Sequence, residues 1–539
     1  MKTILMSIDA KYIHTNNAIR LLKANTSYNV DLLEFTIKDD AHKIINTIKE
    51  IQPTILGIST YIWNISIVKT ILETLKDEDI IIILGGPEVS YESEHLLSEN
   101  LAQFIIRNEG EQSFHLLLEA LYKNTSYEHI PNLMYKKNHT IIENELKEIK
   151  DLSSIKPPYY FKKDIPHIKN KISYIESSRG CPYKCSYCLS SLEKSVRFFD
   201  LKKVQDAVLY LMSNGSKTIK FLDRTFNANK HSLALLDFII EHHNNQTVFQ
   251  FEITGDVLDP KIIHHLNTHA KEGMFRFEIG IQSTNVSTNQ LVDRLQDNDK
   301  LFSNIRLIQE KNIIDLHLDL IAGLPKEDIN SFKQTFDEVF SLGAKELQLG
   351  FLKFLKGTKI RNEANKFQYL YDQEAPYQII KSDVLSIEDI DLLQGIEHML
   401  DIFHNKAYFG QHMLQYLLSL NSAFDFFKEA YFKSKEQTLF KGNYQLEDVY
   451  KFAFEMIQDE ETQYKLKQDY FLRSKVKPKI FWQNNITSET KRAALETLAK
   501  TTTHSLADLF KHTVMISYKD ELFITYYEQL TAFSYQMKK

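Results

Sequence analysis

SSRGCPYKCSYC, residues 177–188, holds all three cysteines of a 539-residue chain: Cys181, Cys185 and Cys188, spaced C-x-x-x-C-x-x-C. A structural zinc site closes with four ligands, so three thiols on one loop are one short. No histidine lies close in sequence, although one of the 19 in the chain would complete a Cys3His site from a distance. The alternatives are unliganded thiols, or a 4Fe-4S cluster with three thiolate ligands and one iron left open. An open coordination position is what a metal site needs for chemistry beyond stapling a fold.

Outward from the loop, apolar runs alternate with helix-period segments. ISYIES (172–177), TIKFLD (218–223), VFQFEIT (248–254), FRFEIGIQ (275–282), LHLDLIAG (316–323) and ELQLGFL (346–352) read as strands. Serial βα units of this kind predict a partial (β/α)6 barrel of TIM type, with its chemistry at the C-terminal strand ends. The cysteines follow the first of these strands, where such an active site would lie.

Upstream, TILMSI (3–8), NVDLLEF (29–35), TILGIS (54–59), IIIILGG (80–86) and AQFIIRN (102–108) are continuous apolar runs separated by amphipathic stretches. That pattern predicts a parallel sheet covered on both faces, a doubly wound α/β domain of flavodoxin-like type. The expected organisation is a doubly wound domain over 1–130, a linker over 131–166 containing KPPYY, the barrel over 167–369 and a mostly helical domain over 370–539. In the last, HTVMISYKDELFITYYEQ (512–529) reads as a strand pair turning at Lys519–Asp520.

The totals bear on several classes. A formal net charge of −6 gives no nucleic-acid or anionic-membrane signal, and no run approaches the roughly 20 apolar residues of a membrane span. Asp9 and Lys11 interrupt the N-terminal apolar run too early for a signal peptide. Three clustered cysteines argue against a disulfide scaffold, so a cytoplasmic location is expected.

The spacing of the cysteines, with Tyr187 just before the last and Arg179–Gly180 ahead of the first, resembles the defining motif of the radical SAM superfamily. The resemblance implies that Cys181, Cys185 and Cys188 ligate a 4Fe-4S cluster whose open iron chelates S-adenosyl-L-methionine. One electron then cleaves the sulfonium and yields a 5′-deoxyadenosyl radical. Further strand ends are similar to the family's cofactor segments. FLDRTFNAN (221–229) would bring Asp223 and Asn227 to the amino-acid end of S-adenosylmethionine. FEIGIQS (277–283) would bring Glu278, Gln282 and Ser283 near ribose or substrate, with Arg294 facing the cofactor carboxylate and Tyr187 a further S-adenosylmethionine contact. DLIAGLPKED (319–328) would pack Ile321 and Leu324 on adenine.

A doubly wound domain ahead of this barrel resembles the cobalamin-binding class of the superfamily, in a branch with an accessory C-terminal domain. GISTYIWN (57–64), LGGPEVSYE (84–92) and RNEGEQSF (107–114) carry that likeness. They imply cobalamin contacts at Tyr12, Ser59, Thr60, Gly85, Gly86, Pro87, Glu109 and Gly110, with Tyr61 and Trp63 against the macrocycle. The D-x-H-x-x-G pattern of a cobalt-ligating histidine is absent, and His14 is the lone histidine of the first strand-end loop.

The expected function is a cobalamin-dependent radical SAM enzyme, a methyltransferase acting at an unactivated carbon through the 5′-deoxyadenosyl radical and methylcobalamin. A non-methylating cobalamin radical SAM oxidoreductase or cyclase is the rival, and a zinc-containing cofactor-sensing binding protein is a third reading. With no further cysteine, the electrons would come from an external flavodoxin or ferredoxin.

Overall fold

The computed structural model describes residues 1–539 apart from Lys194, Ala407, Thr438, Phe440, Lys441, Asn484, Asn485, Gln529 and Lys539. The chain forms two compact units, Met1–Asp328 with Gly350–Ile387, and Ile329–Leu349 with Glu388–Lys539.

The first unit opens with strands β1 (Thr3–Asp9), β2 (Val30–Thr36), β3 (Ile55–Ser59), β4 (Ile81–Gly85) and β5 (Phe104–Ile106). They lie parallel in the order β2-β1-β3-β4-β5, the flavodoxin-like winding expected. Every residue of β1 and β3 is buried, which is why these strands read as unbroken apolar runs. Alternate side chains serve opposite faces. Ile4, Met6 and Ile8 pack with Ile44, Ile48, Val68 and Leu72 of the helices Ala41–Ile51 and Ile65–Leu75. Leu5 and Ile55 pack on the other face with Phe114 and Leu117 of the helix Glu111–Lys123.

The segment expected as a linker instead extends this sheet. Strand β6 (Leu133–Lys137) pairs antiparallel with β5, and β7 (Thr140–Glu143) pairs antiparallel with β6. Asn138 and His139 turn between them with φ of 48° and 65°. Two successive positive φ values make a tight hairpin turn, here without the Asn-Gly pair that announces one.

The barrel sheet contains β8 (Ile172–Ile175), β11 (Thr218–Phe221), β12 (Val248–Ile253), β13 (Phe275–Gln282), β14 (Asp315–Ala322) and β15 (Glu346–Phe351), in the order β15-β14-β13-β12-β11-β8. Between its first two strands, β9 (Ser178–Arg179) and β10 (Arg197–Phe198) form a short antiparallel pair at the two ends of the cysteine loop. Phe221, Phe251, Phe275 and Phe277 are fully or almost fully buried on one face of the sheet, with Phe221 and Phe251 stacked at 4.7 Å. The opposite face carries Tyr174, Lys220, Gln250, Glu252, Arg276, Glu278, His317 and Asp319, so the lumen is lined by polar groups where such barrels ordinarily hold aliphatic layers. A hairpin of β16 (Leu370–Tyr371) and β17 (Ile379–Lys381) ends the unit.

The second unit is mostly helical, as expected, and closes on a sheet of β18 (Thr513–Tyr518), β19 (Glu521–Glu528) and β20 (Thr531–Lys538). The expected turn falls at Lys519, φ 50°, and a third strand joins the predicted pair. Among the described residues no helix is long and apolar enough to cross a membrane.

Candidate active site

The cysteine loop leaves β9 through Gly180, which adopts φ 90° with its Cα so close to the returning chain that a Cβ would stand 2.1 Å from the Ser195 carbonyl oxygen. Only glycine fits there. Inside the loop the Cys188 amide donates to the Cys185 carbonyl at 3.0 Å, and the Ser186 amide donates to Val292 O at 2.8 Å. Cys185 is buried, whereas Cys181 and Cys188 are partly open, with Cys181 Sγ 3.5 Å from Thr225 Oγ1. Among the described residues no three His, Cys, Asp or Glu side chains converge as the ligand set of a single metal ion.

Arg294 stands against this loop. Its Nη1 donates to Tyr187 Oη at 3.3 Å and lies 4.0 Å from Cys185 Sγ, Nε donates to Gln296 Oε1 at 2.9 Å, and Nη2 donates to the Gly280 carbonyl. None of these four partners is a carboxylate. Burial pushes the Cys185 thiol up, and the Arg294 charge pulls it back. Burial likewise raises the Tyr187 phenol, again against Arg294.

The other residues expected at S-adenosylmethionine divide. Asp223 is fully buried and accepts from the Ser177 amide at 2.9 Å, from Ser177 Oγ at 2.5 Å and from Ser178 Oγ at 2.6 Å, so its carboxylate is turned to the start of the cysteine loop. Burial raises its pKa to about 6, with those three hydrogen bonds opposing. Asn227 is tied by both ends of its amide to Thr254, and Ser283 donates to Glu327 Oε1 at 2.6 Å from a fully buried position. Glu278 lies in the lumen, accepting from Lys220 Nζ at 2.6 Å and from Gln250. Gln282 ends β13 at φ 67° beside a bulge, and its buried Oε1 has no hydrogen-bond partner among the described residues. Leu324 is fully buried and Ile321 half-buried at the end of β14.

At the first sheet, Ser59 Oγ donates to Met6 O at 3.4 Å, and Thr60 donates from both N and Oγ1 to Gly85 O. These two hydroxyls, expected to meet a ligand, are spent on neighbouring strands. Gly86 has φ 117°, and a Cβ on it would lie 2.3 Å from Thr60 O, so the close approach that requires glycine is between two strand-end loops. Pro87 starts the short turn Pro87–Val89. What does face outward is aromatic: Tyr12 is 60% exposed, and Trp63 is 43% exposed while stacked on Tyr61 at 4.3 Å. His14 is engaged by Tyr174 Oη at 2.6 Å.

Carboxylates of the same domain reach the barrel. Arg179 bonds Glu111 at 2.6 Å, Glu176 at 2.9 Å and Glu109 at 3.3 Å, while Arg197 bonds Glu109 at 2.8 Å. Glu88 meets Lys356 at 2.9 Å and accepts from Tyr377. Glu109, expected beside cobalamin, is therefore turned to the cysteine loop, with Gly110 starting the helix behind it. In the sequence the Arg179–Gly180 and Glu109–Gly110–Glu111 segments stand far apart. Only the fold brings them together. The lumen pair Lys220 and Glu252, 3.5 Å apart, was also missed; period-two polar positions in β11 and β12 were its signal.

The donor chemistry fits the implied groups. Three thiols beside a guanidinium that has no carboxylate partner among the described residues suit thiolate ligands and an anionic ligand group. Exposed Tyr12 and Trp63 at parallel strand ends suit a flat macrocycle.

Comparisons with known proteins agree with this architecture. The B12 binding domain profile matches residues 6–118, the Radical SAM superfamily profile 175–339, and that of a protein family of unknown function, DUF4080, 365–538. An uncharacterized methyltransferase of Pyrococcus horikoshii, PH0819, is 31% identical over 199 residues, covering 35% of this chain and 43% of that protein. The cobalamin-dependent radical SAM methyltransferase TokK of Streptomyces tokunonensis is 20% identical over 329 residues, 55% of this chain and 46% of TokK. The chain thus spans less than half the length of either relative. The solved structure of the cobalamin-dependent S-adenosylmethionine radical enzyme OxsB superposes with a TM-score of 0.62 at 14% identity, over 87% of this chain and 80% of OxsB. The chain carries a B12-binding domain ahead of a radical SAM domain, and a 4Fe-4S cluster, S-adenosylmethionine and cobalamin are the cofactors of these two domains.

Proposed function

We propose that this enzyme transfers a methyl group to an unactivated carbon. When bound, the cluster and S-adenosylmethionine supply a 5′-deoxyadenosyl radical and cobalamin supplies the methyl group. In this reading Cys181, Cys185 and Cys188 hold the cluster, and Arg294 receives the carboxylate of S-adenosylmethionine in its guanidinium fork. Glu278, Gln282 and Ile321 border the lumen in which S-adenosylmethionine and substrate meet. Tyr12 and Trp63 offer ring faces to the corrin, and the Gly85–Gly86 backbone borders it. A flavodoxin or ferredoxin delivers the electrons.

The observation that carries the reading is the seam between the first sheet and the barrel. The Ile172 amide donates to Ile13 O at 2.7 Å, and His14 Nδ1 pairs with Tyr174 Oη at 2.6 Å. The strand-end loop after β1 thereby continues into the first barrel strand, which supports two cofactor sites facing one space. The likeness to PH0819 and TokK supports methyl transfer as the outcome. Product analysis tests it: enzyme reconstituted with iron, sulfide and cobalamin, then given reductant and S-adenosylmethionine, should pass a methyl group to the reduced cobalamin and so form S-adenosylhomocysteine as well as 5′-deoxyadenosine. Formation of 5′-deoxyadenosine alone would favour a non-methylating oxidoreductase or cyclase. A Cys185→Ala variant should yield no 5′-deoxyadenosine.

A further inference from the structure

Both ends of the cysteine loop are fastened to one side chain of the N-terminal domain. Arg179 and Arg197 are paired across β9 and β10, so they form the base of the cysteine loop. Arg197 Nη1 donates to Glu109 Oε1 at 2.8 Å and Oε2 at 2.9 Å; Arg179 Nη1 donates to Oε1 at 3.3 Å. The Ile149 amide adds a further bond to Oε2 at 2.6 Å. The three side chains are 13%, 11% and 8% exposed for Glu109, Arg179 and Arg197, so these pairs are shielded from water and little screened by salt. Glu111 takes the other fork of Arg179 at 2.6 Å.

The strand pair beneath the loop cannot supply this rigidity alone. It contains two residue pairs, Arg197 with Arg179 and Phe198 with Ser178. Isolated two-stranded ladders are marginal in water even when much longer. The inner side of the base is gripped by Asp223 through Ser177 and Ser178, and its outer side by Glu109. Three of the Glu109 acceptor positions are taken by guanidinium N–H groups and one by a backbone amide, which leaves the carboxylate little capacity for another ligand.

We infer that Glu109 is a positioning residue for the iron–sulfur cluster, by which the N-terminal domain holds the base of the cysteine loop. The inference rests on the reading that the three cysteines ligate a cluster. It assigns the Glu109 carboxylate to the cluster loop and not to cobalamin, and the two assignments predict opposite losses.

The test uses the full chain, reconstituted anaerobically, as wild type, Glu109→Gln, Glu109→Ala and Glu109→Asp. Three quantities are read: the rate of iron release to a ferrous chelator, the electron paramagnetic resonance of the reduced cluster with and without S-adenosylmethionine, and the affinity for hydroxocobalamin. Glu109→Gln keeps size and some hydrogen bonds but removes the charge, so it decides even if Glu109→Ala fails to fold. Expected are iron release about tenfold faster in Glu109→Gln, a broadened signal, hydroxocobalamin affinity within about twofold of wild type, and partial recovery in Glu109→Asp. Iron release and spectra equal to wild type overturn the inference, as does a loss of hydroxocobalamin affinity with the cluster unchanged. A wild-type protein that takes up no iron defeats the cluster reading itself, and the inference with it.

Discussion

Arg294 Nη1 donates to the Tyr187 hydroxyl at 3.3 Å and from the same nitrogen lies 4.0 Å from Cys185 Sγ. A half-buried guanidinium flanked by a phenol and a thiol calls for an anionic partner, which cluster thiolates and the S-adenosylmethionine carboxylate would provide. Arg294→Gln should therefore weaken S-adenosylmethionine binding about tenfold or more, roughly 1.4 kcal/mol. It should also lower the cluster midpoint potential, because a nearby positive charge favours the reduced, more negative cluster. Arg294→Lys should fall between the two. Equilibrium binding and a potentiometric titration check both expectations.

Asp223 gives a pH dependence with a definite sign. Burial raises its carboxyl from 3.8 to about 6 in the fold, so the folded chain binds a proton that the unfolded chain releases earlier. The stabilisation from that proton is complete below the unfolded pKa and is lost as pH rises through the folded one. Stability should decline between pH 4 and 6 by about 3 kcal/mol from this group. Asp223→Asn should flatten that slope in urea unfolding of the metal-free protein, and an unchanged slope would count against the assignment.

The fold was largely legible where burial is complete on both faces. The runs TILMSI, TILGIS and IIIILGG are largely apolar because β1, β3 and β4 are sandwiched by helices, and they announce a parallel sheet covered on both faces. The hairpin Leu133–Glu143 was not legible, because its turn uses Asn138–His139 and its second strand buries little. Strand Thr531–Lys538 was hidden for the same reason: its burial is slight on both faces. Sequence position places a residue at a strand end but not the direction of its side chain. That is why Ser59, Thr60, Asp223 and Glu109 were expected to face ligands, although their hydrogen bonds run to Met6, Gly85, the serines and the arginines.

Glu88 and Lys356 form an ion pair at 2.9 Å with side chains only 5% and 11% exposed. Removing one partner leaves a buried charge uncompensated, which costs about 3–5 kcal/mol. Glu88→Ala should lose stability of that order in urea unfolding. The double change Glu88→Leu, Lys356→Met should recover much of it.

Phe251 packs between Phe221 at 4.7 Å and Phe226 at 4.2 Å with no exposed surface. Phe251→Ala opens a cavity in the layer behind the barrel sheet and should cost about 3–5 kcal/mol. Lys220→Met in the polar lumen should cost far less stability than Phe251→Ala while impairing turnover, as a stability and rate comparison would show.

The central claim is that Cys181, Cys185 and Cys188 hold an open 4Fe-4S cluster that binds S-adenosylmethionine beside a cobalamin site. Anaerobic reconstitution with iron, sulfide and hydroxocobalamin, followed by electron paramagnetic resonance of the reduced protein, measures it most directly. The account predicts about four irons per chain, one bound cobalamin, and a cluster signal that shifts when S-adenosylmethionine is added. A chain that binds one zinc, takes up no iron and shows no response to S-adenosylmethionine would contradict it.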